Sequence, residues 1–458
     1  MNLRAIRNGS ALIACTLVLV VVSVLAVSLA AISGANLQMA DNQHGANQAF
    51  ASAESGLEVM RYWLSRVRIP SSTPPSDYLS SAIALVQSDL QDNEVSNIVV
   101  NADGSIPTVL IDADTGQNFQ GQWSWDPDNP AILRVTVTGK RGLMSRTISV
   151  EYNIAPYHFP IFNYGIATKG PLQFPRNPTL TGATQNWEAD IYVESANSLV
   201  AVDIGGNATF DGDIDIGNPL ASVSYAGSLN IAGDFGQAAI AEHVETLDEE
   251  DRPEFPVPDV TQFRQYATGP VLDSTYTYSG SGMTLANATI CAGTNPTFSG
   301  NGAVTIQGVL YIEAPNIVTF AKQVALQGLI VAEGDAQNPG TNAIKFQYNF
   351  ASGDYPAGSQ FDAIRQEQGS SILAPGFGVS FTGNFSSVNG VLAASSLYFN
   401  ANASAVVKGT MISYSPDATQ VDGNIAMNFD RSAMVEIPAG FDLYRVLQYN
   451  PASYALAF

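Results

Sequence analysis

The sequence predicts a mainly β chain built on one long N-terminal helix: a helix and small antiparallel sheet, followed by a parallel β-solenoid. Three observations predict it. An apolar stretch fills residues 11–32, and no proline interrupts the chain before Pro70. From 97 to 153 apolar residues alternate with period two, the mark of half-buried strands. From about 156 to 435 a unit close to 20 residues long returns, with one turn glycine in each copy.

The helix comes first. Arg4 and Arg7 precede Gly9, and no further charge appears until Asp41. Only Thr16, Ser23 and Ser28 interrupt the apolar run with polar side chains, and about 20 apolar residues suffice to cross a bilayer. Basic residues stand before the span and none follows until Arg61, which places the N-terminus in the cytoplasm and the remainder outside. A cleavable export signal needs an apolar core of only about 7–15 residues. Here the helix formers Ala, Leu, Met, Gln and Glu continue through 34–69, so helix is expected from Ser10 to Ile69, roughly 90 Å long at 1.5 Å per residue. Gly34, Gly45 and Gly56 recur every eleven residues, which returns to nearly the same helix face and suits close packing against another helix.

These residues resemble the type IV pilin-like proteins, and among them the PilX-type minor pilins. The resemblance rests on a short basic leader ending in Gly9, the Ser10-Ala11-Leu12-Ile13 start of the apolar helix, and the later AFASAESGLE of residues 49–58. It covers about the first 60 residues. It implies cleavage by a prepilin peptidase between Gly9 and Ser10, an inner-membrane stage, and later residence in the periplasm or at the cell surface within a filament of other pilins. Two positions depart from the pattern: Asn8 stands where Lys or Arg is usual, and Ala14 where major pilins carry Glu at the fifth mature position. Without that carboxylate the subunit cannot pair with the N-terminal amine of a neighbour, although its own Ser10 amine remains available. One-sided pairing suits a filament end, so the resemblance implies a tip-located minor subunit.

Composition bounds the rest. Only 13% of the 458 residues are charged and the net charge is −22, which excludes nucleic acid as a partner because neutralising phosphates takes Lys and Arg. Cys15 lies in the span and Cys291 far beyond it, so no disulfide framework is expected, and Cys291 reads as a small core residue. After the Pro/Ser link 70–78, a short helix is expected with Ile83, Leu85, Val86 and Leu90 as its apolar face. Antiparallel strands then run from 97 to 153, with turns at Asp103-Gly104, Asp114-Thr115-Gly116 and Asp128-Asn129-Pro130. Asp112 and Asp114 are assigned to turn chemistry, since the twelfth position of a calcium loop starting at Asp112 would be Trp123.

Within the repeat region Val304–Leu310 returns as Val324–Ile330, and Val388–Leu392 is echoed 19 residues on by Val407–Met411. Such rungs resemble bactofilin-like and right-handed β-helix domains; a β-sandwich is the alternative. Residues 241–275, acidic and rich in proline, read as a solvated excursion, and about 335–370 as a lateral loop. The domain plan is a leader (1–9), the helix (10–69), an α/antiparallel β head (70–155), two solenoid parts (156–240 and 276–435) around the excursion, and a C-terminal segment (436–458). That segment and Phe429-Asp430-Arg431-Ser432 before it are similar to the close of many PilX-like proteins.

Catalysis finds little support. His44, His158 and His243 form no cluster by position. Asp211, Asp213 and Asp215 alternate and so share one face of a strand, which makes them a candidate Ca²⁺ site. The four Asn-x-Ser/Thr sequons at Asn207, Asn287, Asn384 and Asn402 follow from composition. The expected function is packing and binding: a structural or adhesive subunit whose partners are other pilins, a prepilin peptidase, the inner membrane and surface glycans. The alternatives are a membrane-anchored β-helix enzyme acting on acidic polysaccharide at the Asp211 face, and a static envelope scaffold.

Overall fold

The computed structural model describes residues 7–126, 129–400 and 404–457. The leader residues 1–6, Asp128 of the third expected turn and Asn402 of the last sequon lie outside the described residues. The chain divides into two compact units, Met1–Tyr157 with Tyr444–Phe458, and His158–Leu443.

In the first unit, helix α1 runs unbroken from Arg7 to Ser65. It stops four residues short of Ile69 because Arg68–Pro70 is extended and pairs with Tyr444–Val446, and a residue before proline is steered out of helical geometry. Helix α2, Tyr78–Asp92, buries Ala82, Ile83, Val86 and Leu90 on one face. The antiparallel strands Ser105–Asp112, Gln117–Asp126, Asn129–Arg141 and Met144–Pro156 follow. The final strand, Tyr444–Ala457, inserts between Arg68–Pro70 and Met144–Pro156 to complete a six-stranded sheet. Asp112 closes its turn by accepting from the Asp114 N–H at 2.9 Å and the Thr115 hydroxyl at 2.7 Å.

Helix α1 changes character along its length. From 11 to 44 every side chain is exposed, whereas Gly45, Ala49, Ser52, Ala53, Gly56, Leu57, Met60, Trp63 and Leu64 are buried. Their three- and four-residue spacing makes one face, and that face lies on the sheet beside Phe119, Trp123, Val135 and Val137. The approach is tight. A methyl group at Gly56 would stand 2.7 Å from Phe119 and 2.8 Å from Val137, and one at Gly139 2.2 Å from the Ala49 carbonyl oxygen and the Ala53 nitrogen.

The second unit is a parallel solenoid whose register follows the repeat seen in the sequence. Val304–Ile312 pairs residue for residue with Val324–Ala332, and the 19-residue echo places Val388 beside Val407 and Leu392 beside Met411. Stacked coils bring like side chains together at the strand spacing. Phe298, Phe320, Phe346, Phe381 and Phe399 form a column with successive centroids 4.9, 5.2, 4.9 and 5.2 Å apart and planes within 11°. At the turns Asn295, Asn316 and Asn342 form a second column, each backbone N–H of the first two donating to the next amide oxygen at 2.8 and 3.0 Å. Cys291 follows the strand Met283–Ile290 at such a turn and is half-buried, not a core residue.

The order of coils departs from the order of the chain. The chain enters mid-stack at Ile166–Thr168 and rises through three coils to Val244–Thr246. Residues 247–270 then return to the opposite end, and the chain climbs back until Met411–Ser413, Thr419–Asp422 and Ala426–Phe429 pair with the coil where it entered. The two solenoid runs are therefore one continuous stack with an internal seam.

The returning segment is solvated only in its acidic part, where Asp248, Glu249, Glu250 and Asp251 are exposed; its proline-rich part is not a solvated loop. Pro253, Pro256, Pro258, Val260 and Phe263 are buried, and extended chain outside a ladder has no need of the missing proline N–H. The Tyr414 hydroxyl donates to the Pro256 carbonyl at 2.6 Å, and Phe255 packs beside Tyr192 and Tyr414 on either side of the seam. Farther along, Arg264 pairs with Glu313 and with Glu333, the latter at 3.2 Å. The 335–370 stretch likewise departs from a free loop: Ala343–Phe346 and Phe350–Ser352 are rungs, and Phe361 and Ile364 are buried.

Replacing Phe346, the middle ring of the column, with Ala is expected to cost about 3–5 kcal/mol of solenoid stability, read as an earlier denaturant midpoint. Gly139→Ala is expected to destabilise the first unit by about 1–3 kcal/mol, because both atoms it meets are backbone; circular dichroism melts check both.

Candidate functional site

Two regions carry chemistry that the two cores do not use. The first is the exposed half of α1. Leu12, Ile13, Val18, Leu19, Val22, Leu25, Leu29 and Leu37 all stand open although they point in every direction around the helix. A helix apolar all round belongs in lipid or within a bundle. The segment is long and apolar enough to cross a membrane. Two of its hydroxyls are satisfied internally, with Thr16 donating to the Leu12 and Ile13 carbonyls at 3.0 Å and Ser23 to the Leu19 carbonyl at 2.7 Å. Gly9 and Ser10 lie in the first turns of this helix. The glycine stripe divides: Gly45 and Gly56 close against the chain's own sheet, while nothing lies within 4 Å of a methyl group built on Gly34.

The second region is a cleft on the solenoid flank. The short 3-10 turn Asn186–Ala189 is closed by a capping box between Gln185 and Glu188. The Glu188 side chain is fully buried and accepts from the Thr184, Gln185 and Arg431 backbone N–H groups at 2.6, 3.0 and 3.1 Å. Burial would raise its pKa, but these donors outweigh burial and hold it below the usual range. Arg431, also buried, donates to the Phe162 and Asn163 carbonyls and lies 5.2 Å from the Trp187 ring centre. Trp187 itself is 51% exposed. Beside it the cleft is lined by Thr184, Gln185, Asn186, Asp190, Asp211, Asp213 and His243.

The three aspartates of the alternating run turn to separate partners. Asp211 accepts from the Gly182 N–H at 3.3 Å, Asp215 from the Tyr164 hydroxyl at 2.7 Å, and Asp213 faces His243 Nδ1 at 2.8 Å. The other ring nitrogen of His243 lies 3.2 Å from Asp234. Among the described residues no group of three His, Cys, Asp or Glu side chains is placed to hold a metal ion. His158 stands elsewhere, 3.0 Å from Glu436, and His44 is exposed on α1. Burial pushes the Asp190 carboxyl up to about 7, aided by Asp213 and Asp215 and opposed by the hydrogen bond from the Asp213 N–H. The Asp213 carboxylate, with Asp234, raises the His243 imidazole above its ordinary value against the effect of burial.

Sequence reading located Asp211, Asp213 and Asp215 but missed Asp190, Trp187, Glu188 and the roles of Arg431 and His243. Arg431 reaches the 162–190 region only through the seam, which brings residues some 240 positions apart into one coil pair.

The PilX N-terminal family model matches residues 8–58, which makes the N-terminus of this chain pilin-like. Among solved structures, the chain is similar to the crystal structure of competence-associated pilin ComZ from Thermus thermophilus, with 13% identity over 90% of this chain and 97% of that chain and a TM-score of 0.22. No curated protein matches it.

The two shifted groups predict one direction of pH dependence. Both hold protons in the folded state that the unfolded chain releases earlier. Asp190 therefore weakens the fold as pH rises from about 4 towards 7, and the His243 contribution, complete below about 6.5, is lost as pH passes its folded value. Hydrogen-exchange protection of residues 229–246, corrected for intrinsic rates, is expected to be higher at pH 5.5 than at pH 8. Asp190→Asn and His243→Gln should each flatten part of that slope.

Proposed function

We propose that this chain is a minor pilin-like subunit that joins a type IV pilus or related pseudopilus through α1 and uses its solenoid as a binding module at or near the filament tip. The observation that carries the reading is the pilin-like match at 8–58 on a helix whose 11–44 half is uncovered and apolar all round. Removing such a surface from water is worth about 25 cal/mol per Å², so the half-helix is stable only in lipid or among other helices. Before assembly the inner membrane supplies that environment, with the N-terminus cytoplasmic and a prepilin peptidase cutting after Gly9; in a filament, neighbouring pilin helices take the place of lipid.

Ala14 supports an end position. A helix entering a bundle can offer its Ser10 amine to the glutamate of another subunit, but offers none in return. Packing surfaces on α1 and a pre-built cleft on the solenoid flank support binding as its role.

The test is the intact mass of the mature protein and its location. A mass lacking the first nine residues, with recovery in sheared filaments at far below the level of the major pilin, is the expected result. A chain still carrying Met1 and confined to membranes would overturn it in favour of a static anchor. Ala14→Glu is expected to spread the subunit along the filament and raise its recovery several-fold.

A further inference from the structure

The turn under Trp187 is more firmly tied than an exposed side chain requires. Two charged side chains, Glu188 and Arg431, are buried to fix it, and taking each ion out of water opposes folding until its hydrogen bonds offset the loss. What they fix is an indole that stays half in solvent and leaves the core unchanged. An aromatic platform with convergent polar groups around a cleft is the usual make-up of a ligand site.

We propose that this cleft binds a neutral saccharide. One sugar ring lies with its C–H face on the side of Trp187 turned away from Arg431, and its hydroxyls donate to Asp190, Asp211 and the remaining oxygen of Asp213. The lining selects this class on two grounds. Its carboxylates are acceptors in excess, which matches the hydroxyl donors of a sugar, while Gln185 and Asn186 supply amides that both donate and accept. The same carboxylates repel uronic acids and sialic acids, so an acidic polysaccharide is disfavoured at the Asp211 face. A lysine or arginine side chain would be drawn by those carboxylates but would meet Arg431 across the indole, and it is the competing ligand that the hexalysine arm tests. His243 is bound on both nitrogens by Asp213 and Asp234, which holds the Asp213 carboxylate in place rather than leaving it to swing into solvent.

This site gives the proposed binding module its ligand class, so its biological use rests on that reading, but saccharide binding itself needs no filament. The full chain in detergent micelles is titrated by calorimetry and tryptophan fluorescence with cellohexaose, mannohexaose and chitohexaose, and in parallel with hexagalacturonate and a hexalysine peptide. Saturable binding of at least one neutral hexasaccharide is expected, with a shift in tryptophan emission and no response to the other two probes. Trp187→Ala should weaken binding roughly tenfold or more, Trp187→Phe less, and Asp211→Asn should also weaken it; Trp187→Phe keeps a ring beside Arg431 and Asp211→Asn keeps an acceptor for the Gly182 N–H, so both are expected to melt as the unaltered protein does. Three results would each overturn the proposal: no neutral hexasaccharide binds, hexagalacturonate or hexalysine binds as tightly, or Trp187→Ala leaves the affinity unaltered. A failed mature-mass experiment would leave it standing, and its own failure would leave the filament reading intact.

Discussion

The second unit depends on one pairing, the parallel contact of Met411–Ser413, Thr419–Asp422 and Ala426–Phe429 with the coil that begins at Ile166. Its necessity follows from connectivity. The solenoid is inserted between Met144–Pro156 and Tyr444–Ala457, which are hydrogen-bonded neighbours in the other unit's sheet. A simple stack of about nine coils would leave its two ends roughly 40 Å apart at the spacing of parallel strands. Entering in the middle and closing on the entry coil brings both ends to the same level. The consequence is a chain that must travel the full stack once outside the ladder. Residues 247–270 do this, and about 24 residues can span as much as ~80 Å, so there is slack for the 3-10 turn Thr261–Tyr266 on the way.

That return path explains why an acidic, proline-rich stretch belongs in a solenoid at all. A segment crossing every coil at right angles cannot share their hydrogen bonds, and proline asks for none. Alternate residues of the strap are apolar and face the coils, while Glu254, Val257 and Asp259 face water. The outward residues it touches are accordingly aromatic: Tyr192, Tyr311 and Tyr414 are all buried although none belongs to the coil interior that holds the phenylalanine column. The seam itself lies under Phe255 and Pro256, so strap and seam protect one another.

The legible parts of the sequence were those in which a physical requirement acts between near neighbours in the chain. The apolar run, the period-two strands and the 20- and 19-residue echoes are of that kind, and the echoes appear in the structure as pairings without a slip. The strap was unreadable for the opposite reason. Its burial pattern, with Pro253, Pro256, Pro258 and Val260 inward, is written in residues whose propensities all signal loop, and the surface that makes them a strap lies up to about 190 positions away in the chain. The flank cleft shares this property. The alternation of Asp211, Asp213 and Asp215 is visible locally, but the Glu188–Arg431 contact exists only once the last coil has closed on the first. The motif Phe429-Asp430-Arg431-Ser432 drew attention as a chain-end signature, and its arginine proves to be the buried support of Trp187.

Helix α1 shows the same contrast between local and distant requirements within one element. Its first half carries an apolar surface in every direction, a demand that none of the described residues meets. Its second half carries apolar and small residues on one face only, and the sheet meets that face so closely that Gly139 touches the helix backbone. The glycine step of eleven runs through both halves, yet it has different consequences in each. At Gly45 and Gly56 it lets Met144, Phe119 and Val137 approach, and the missing side chains are filled from within the molecule. At Gly34 the same omission leaves a shallow notch on the free half with nothing in it. A helix that is complete on one half and unsatisfied on the other is a part made for two environments at once. The continuity of α1 through Ser33 and Gly34, with no hinge or proline, ties them rigidly together, so whatever holds the first half also fixes where the head sheet stands.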